Sequence, residues 1–240
     1  MKICAAQTRP VTGDIPANIE NHKKLIGLAV AGKADLIIFP ELSLTGYEPS
    51  LAKKLAVNWE DARLDVFQEI SDARQLTIGV GIPVKCGPGI YISMVIFSPH
   101  QPRRVYSKSH LHPDETPFFV AGQSSPDLIV NKTKIALAIC YEISVPEHLE
   151  TALKSRPQIY FASVAKSVKG IDKACMQLSD IAKKNSLTVL MSNSVGSADN
   201  GVCAGKTSVW NNQGQLVGQL DGSHEGILIF DTETRKIVGQ

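Results

Sequence analysis

Short apolar runs alternate along this chain with longer stretches whose apolar positions recur every three or four residues, the pattern of a mixed α/β protein. Lys2–Gln7 predicts a strand, and Ile15–Gly32 a helix carrying Ile19, Leu25, Ile26 and Ala29 at helical spacing. Asp35–Phe39 is apolar at its last four positions, which predicts a buried strand, and Pro40 ends it. A second helix is predicted over Glu60–Gln75, with Leu64, Phe67 and Ile70 on one side. Leu76–Val84 reads as a strand ending at the Gly87-Pro88-Gly89 turn, and Ile90–Phe97 and Arg103–Ser107 as the next strands of a meander.

The second half repeats this order. Asp127–Val130 and Lys134–Ile139 read as strands on either side of an Asn131-Lys132 turn, followed by a helix over Pro146–Lys154. Gln158–Ser163 predicts a strand, Lys169–Asn185 a helix and Leu187–Ser192 a strand. Shorter strands follow near Lys206–Trp210, Gln215–Gln219 and Gly226–Phe230, separated by Asn-Gln-Gly and Asp-Gly turns. Two units of like order suggest two sheets packed face to face with helices outside, although no residue-level repeat is visible.

Composition narrows the classes. At 240 residues, with 43% hydrophobic and 20% charged side chains, the chain supports a sizeable core. No linker or low-complexity segment interrupts it, so a single domain over residues 1–240 is expected. A net charge of +2 gives no electrostatic case for nucleic acid or an anionic membrane. No apolar run approaches the roughly 20 residues that cross a bilayer, and Met1–Gln7 turns polar too soon for a secretory signal. Cys4, Cys86, Cys140, Cys175 and Cys203 are scattered without a C-x-x-C pair, which favours reduced thiols and a cytoplasmic location.

Three loops directly after apolar strands carry reactive side chains, the usual place for chemistry in α/β folds. In Leu36–Leu42, Glu41 follows four buried positions and a proline; partial desolvation there raises a carboxyl pKa toward general-base work. The ordinary alternative is an N-cap or surface turn acid. In Val105–Leu111, Lys108 is either a snorkelling surface lysine or a fixed cation for a developing oxyanion. In Ile135–Glu142, a strand delivers Cys140 to a sharp exit shortly before a helix. Inert burial is the default for any cysteine, and Cys4, Cys86, Cys175 and Cys203 fit it.

Together these loops are specific. Phe39-Pro40-Glu41-Leu42 with Thr45-Gly46-Tyr47, then Tyr106–Leu111, then Ile139-Cys140-Tyr141-Glu142 with Pro146-Glu147, resemble the nitrilase superfamily of carbon–nitrogen hydrolases. The likeness extends through Asn193–Gly196 and Gly205–Ser208. It implies a four-layer α-β-β-α sandwich, commonly paired into dimers, and an enzyme without cofactor or metal. Carried onto this sequence, it implies Glu41 as general base, Lys108 as oxyanion cation and Cys140 as nucleophile. Glu115 resembles the second glutamate beside the triad, Tyr47 belongs to the substrate-side motif, and the backbone N–H of Tyr141 is the expected oxyanion donor. The expected partner is a small linear amide or N-carbamoyl compound, with nitrile hydrolysis less favoured. Past Phe161, where many relatives carry an aromatic near Ala165, this chain has Ala165-Lys166, and Lys166 offers a charge to an acidic substrate.

Three rival readings remain open at this point. His110-Leu111-His112, with His148, has the makings of a metal hydrolase, because two histidines two apart on a strand share a face. An isochorismatase-like cysteine hydrolase also combines an acid, a lysine and a cysteine, but the surroundings of Glu41 and Lys108 do not resemble it. A binding scaffold that has kept the fold without activity is the non-enzyme alternative. Gly79-Val80-Gly81 lies inside an apolar run and predicts close strand packing rather than a phosphate loop.

Overall fold

In the computed structural model, which describes residues 1–123, 127–199 and 201–239, β1 (Lys2–Gln7) leads into α1 (Ile15–Ala31) and β2 (Leu36–Ile38). The short α2 (Ala52–Leu55) and α3 (Asp65–Arg74) precede β3 (Thr77–Cys86), β4 (Gly89–Phe97) and β5 (Arg104–Ser107). Then come β6 (Leu128–Val130), β7 (Thr133–Ile139), α4 (Pro146–Leu153), β8 (Ile159–Val164), α5 (Ile171–Asn185) and β9 (Thr188–Asn193). A hairpin of β10 (Val195–Ala198) and β11 (Gly201–Ala204) precedes β12 (Ser208–Trp210), β13 (Leu216–Gln219), β14 (Gly226–Asp231) and β15 (Lys236–Gly239).

The strands form two main sheets, ordered β15-β14-β1-β2-β3-β4-β5 and β13-β12-β9-β8-β7-β6. In the first, β1, β2 and β3 run parallel and β4 and β5 return antiparallel. The second repeats this with β7, β8 and β9 parallel and β12 and β13 antiparallel. The two units read from the sequence are therefore real at the level of topology.

Side-chain alternation shows how the layers stack. Ile3 and Ala5 of β1 join Ile135, Leu137 and Ile139 of β7 in one core between the sheets. Cys4 and Ala6 point the other way, into a core shared with Ile19, Leu25 and Ile26 of α1 and Phe67 of α3. Ala136 and Ala138 likewise face Ala174, Leu178 and Ile181 of α5. Three apolar layers between four structural layers make an α-β-β-α sandwich, the expected architecture, and period-two alternation in the strands builds it.

Most predicted elements stand within two residues of their expected ends, and the departures have local causes. The helix expected from Lys169 starts at Ile171, after Gly170. The helix expected from Glu60 is a 3-10 turn at Ala62–Leu64 running into α3, with the Asp61 side chain capping the Arg63 N–H. The apolar pattern does not predict the β10–β11 hairpin, because Gly196, Ser197, Ala198 and Gly201 have weak strand propensity. The edge strand β15 alternates half-buried with exposed positions and likewise lacks a strong apolar signal.

Candidate active site

Glu41 is set by the way its loop rides on β3. Phe39 N–H donates to the Gly79 carbonyl at 2.9 Å and Leu44 N–H to the Gly81 carbonyl at 2.9 Å, so residues 39–44 extend the sheet beyond β2. From the opposite sheet, Ser163 Oγ donates to the Phe39 carbonyl at 2.8 Å. The approach is close: a Cβ on Gly81 would sit 2.4 Å from both Pro40 O and Leu42 N. The Gly79–Gly81 reading thus gains a purpose, since a bare α-carbon lets the Glu41 loop lie against the strand.

Lys108 follows β5, its N–H donating to the Ile92 carbonyl at 2.9 Å and its own carbonyl accepting from Gly122 N–H at 2.7 Å. Its side chain is fully buried, which rules out the snorkelling alternative. The ammonium donates to Glu41 Oε1 at 2.8 Å and to Glu115 Oε1 at 2.7 Å. Glu115 sits in a 3-10 turn over Pro113–Glu115, accepting from Tyr47 OH at 2.9 Å through Oε1 and from His112 N–H at 2.7 Å through Oε2. Four of the expected residues, Glu41, Lys108, Glu115 and Tyr47, therefore form one connected network.

Cys140 leaves β7 with φ of +45°, a left-handed conformation that costs a non-glycine residue about 1–3 kcal/mol. A 3-10 turn, Cys140–Ser144, begins there. The first N–H groups of such a turn have no partner within it, and Tyr141 carries one of them. Ala165, just past neighbouring β8, lies beside the Cys140 sulfur, close enough for its N–H to favour the thiolate. Glu41 Oε2 is buried without a hydrogen-bond partner of ordinary geometry. The Cys140 thiol is close enough to weigh on that carboxyl as a donor.

The electrostatics follow from burial. Desolvation raises the Glu41 pKa, partly opposed by Lys108, while the neighbouring Glu115 charge adds to the rise. Burial opposes the charge on Lys108, yet Glu41, Cys140 and Glu115 together hold its pKa above the ordinary lysine range. Burial and Glu41 push the Cys140 thiol up to about 11 despite Lys166, Lys108 and the Ala165 N–H. The resting sulfur is therefore a neutral thiol beside Glu41.

A cleft of about 1110 Å³ opens onto Cys140, lined also by Tyr47, Glu115, Tyr141, Lys166 and Cys203. Cys203, on β11, borders this cleft but is buried, and burial pushes its thiol up to about 12, in line with the inert-thiol expectation. The paired histidines do not share a face. Residues 108–112 have left the strand, and His110 packs edge-on to His148 while His112 packs edge-on to Tyr141.

Sequence reasoning does not single out Glu142, although it stands two residues from Cys140. It is fully buried, and its Oε1 accepts from Ser109 N–H at 2.6 Å and Ser109 Oγ at 2.7 Å. Its Oε2 accepts from Ile139 N–H and Tyr106 OH, both at 2.7 Å. One carboxylate thus ties the residue after Lys108 to the residue before Cys140. The available signal is a carboxylate two residues past a strand end, beside a helix-starting proline.

The family model for carbon–nitrogen hydrolases matches residues 2–237. The chain belongs to the carbon–nitrogen hydrolase family. This hydrolase is 24% identical over 203 residues to an (R)-stereoselective amidase from a Pseudomonas species, covering 84% of this chain and 74% of that one. It is 27% identical over 240 residues to the glutamine-dependent NAD(+) synthetase of Aquifex aeolicus, covering 95% of this chain but 41% of the synthetase. Among solved structures, the amidase from Nesterenkonia sp. AN1 superposes with a TM-score of 0.87 at 25% identity, covering 96% of this chain and 92% of that one. A variant of that amidase with glutamine in place of a glutamate carries acrylamide added at its active-site cysteine. The hydrolase described here is an amidase-like enzyme of this family, and among its described residues no helix is long and apolar enough to cross a membrane.

Proposed function

We propose that this hydrolase cleaves the C–N bond of a small linear amide or N-carbamoyl compound, using Cys140 as nucleophile, Glu41 as general base and Lys108 as oxyanion cation. The observation that carries the reading is the convergence of a buried carboxylate, a buried ammonium and a strand-end thiol, with Glu41 Oε2 left unpartnered on a carboxyl that the thiol reaches. Acrylamide addition to the cysteine of the Nesterenkonia amidase supports the choice of nucleophile.

In this mechanism the Cys140 proton passes to Glu41 as the sulfur bonds to the carbonyl carbon. The charge moves to the substrate oxygen, where the Lys108 ammonium and the Tyr141 N–H receive it. One such donor contributes about 3–4 kcal/mol to lowering the barrier. Collapse breaks the C–N bond as Glu41 returns the proton to the leaving nitrogen, giving ammonia or an amine and a thioester on Cys140. Glu41 then takes a proton from water as its oxygen attacks the thioester, and the departing thiolate recovers that proton.

Ammonia release across amides, ureido acids and nitriles, with Cys140→Ala beside the wild type, tests this. Turnover should vanish in the variant, and substrate should leave an acyl adduct on Cys140 detectable by intact mass. Activity surviving Cys140→Ala would sink the mechanism.

A further inference from the structure

Lys166 stands two residues past the end of β8, whose parallel register with β7 pairs Ile139 with Ser163. The chain therefore passes Cys140 at Ala165 and presents Lys166 next, all three bordering one cleft. Its backbone is held by three hydrogen bonds to two residues. Lys166 N–H donates to Asn193 Oδ1 at 2.8 Å, and its carbonyl accepts from Ala204 N–H at 3.0 Å and Asn193 Nδ2 at 3.2 Å. Asn193 is fully buried and also donates to the Gly205 carbonyl at 2.7 Å, so the anchor is itself fixed. A lysine that only decorates the surface needs no such support.

The Lys166 side chain is half-buried and lines the Cys140 cleft, and among the described residues its ammonium makes no ion pair. It is near enough to Cys140 to favour the thiolate, ahead of Lys108 in effect. Lys108, by contrast, is fully buried between two carboxylates at the reacting centre, too deep to meet a substrate group some carbons away. On the rim, Asp114 faces His112 at 3.5 Å and Glu48 accepts from Ser50 Oγ at 2.8 Å. Behind it, the buried network sets two carboxyl groups, Glu41 and Glu115, against the single Lys108. An anionic substrate entering such an acid-rich site is favoured by a cation placed at its mouth.

We infer that Lys166 is a specificity-determining residue that receives a carboxylate of the substrate, so that the enzyme acts on amides or ureido compounds carrying an anionic group a few carbons from the scissile carbonyl. This rests on the amide-hydrolase reading above and narrows it. A desolvated ammonium–carboxylate contact of this kind discriminates by roughly 10–100-fold. An alternative role for the same lysine, direct help to the thiol, makes a different prediction, because it would act on every substrate alike.

The test compares the monoamides of four-, five- and six-carbon diacids with neutral aliphatic amides of matching length. Wild type should favour the anionic series by tenfold or more in kcat/KM. Lys166→Met should abolish that preference, cutting kcat/KM for the anions about 10–100-fold and for neutral amides by no more than about threefold. Lys166→Gln serves as a second variant if the methionine form folds poorly, and Lys166→Arg should retain the preference. A wild type indifferent to charge, or an equal fall in both series, overturns the inference. Alkylation of Cys140, followed by intact mass, separates this failure from failure of the hydrolase reading. Lys166→Met should slow iodoacetate more than iodoacetamide even if no amide is turned over, and equal slowing again overturns the inference.

Discussion

Adding one methyl group at Gly81 tests whether close backbone packing sets the position of Glu41. The new Cβ would meet Pro40 O and Leu42 N at 2.4 Å and the Glu41 carbonyl carbon at 3.0 Å, while ordinary contacts begin near 3.4 Å. These are backbone atoms, so no side chain can rotate away, and the loop must lift from β3 by about 1 Å. The Lys108–Glu41 hydrogen bond, 2.8 Å in the native arrangement, would lengthen beyond hydrogen-bonding range. A displacement of that size in a reacting group costs on the order of 100-fold in rate. Overpacking should also remove about 1–3 kcal/mol of stability, a fall in Tm of roughly 2–12 °C for a chain of this length. The assay is kcat/KM for ammonia release, with thermal melts and iodoacetamide labelling of Cys140 to show that the fold and thiol persist. Gly27→Ala is the control, because its Cβ meets nothing within 4 Å and lies in α1. If Gly81→Ala keeps activity within about threefold of wild type, packing against β3 does not position Glu41, and the reasoning fails.

Other outcomes follow from the same geometry. Because burial raises the Glu41 pKa and the base must be ionised, kcat/KM should fall with acidification through a midpoint above the usual carboxylate range. A pH profile with its acid limb at or below that range would count against Glu41 as base. With the Cys140 thiol pushed up to about 11, iodoacetamide labelling of the wild type should keep accelerating with pH toward that value; a plateau near neutrality would mean a preformed thiolate. Glu115→Gln removes a carboxylate partner of Lys108 and should lower kcat by tenfold or more while the protein stays folded, as judged by circular dichroism. Glu142→Gln places an amide NH₂ among four donors and should cost about 1–3 kcal/mol in urea melts, with a fall in kcat larger than any change in KM.

The sequence is most readable where a single period controls the outcome. The strands β1, β7 and β8 and the helix α1 each carry strong patterns, and all lie within a residue or so of where those patterns predict them. Reactive residues at strand ends are legible because burying a polar side chain directly after an apolar run is costly, so its presence there marks chemistry or a specific partner. Glu142 is not legible in this way, because its role depends on Ser109 and Tyr106, more than thirty positions away, and no local pattern encodes that distance. The anchoring of Lys166 is hidden for the same reason, since it depends on Asn193, 27 positions away. Cys203 is buried as the sequence suggests, but the weakly patterned β10–β11 hairpin gives no strand signal that would place it beside the cleft.

The Lys108 ammonium, shared by Glu41 and Glu115, links the parts of the site. Two carboxylates keep Lys108 protonated in a place where burial alone would favour loss of its proton. Burial, helped by Glu41, holds Cys140 as a thiol until a substrate arrives. In the proposed first step, transfer of the thiol proton neutralises Glu41 while the substrate oxygen becomes negative, so the total charge on the site does not change. Only its location moves, from the carboxylate toward the Lys108 ammonium and the Tyr141 N–H, and a preorganised site needs little reorganisation energy for such a shift. The strained backbone at Cys140 belongs to this design, because Glu142 grips the Ile139 N–H with one oxygen and the segment following Lys108 with the other. Movement of either segment would carry the other with it, so Cys140 and Lys108 are kept in register through one buried carboxylate, as the proposed mechanism requires of them.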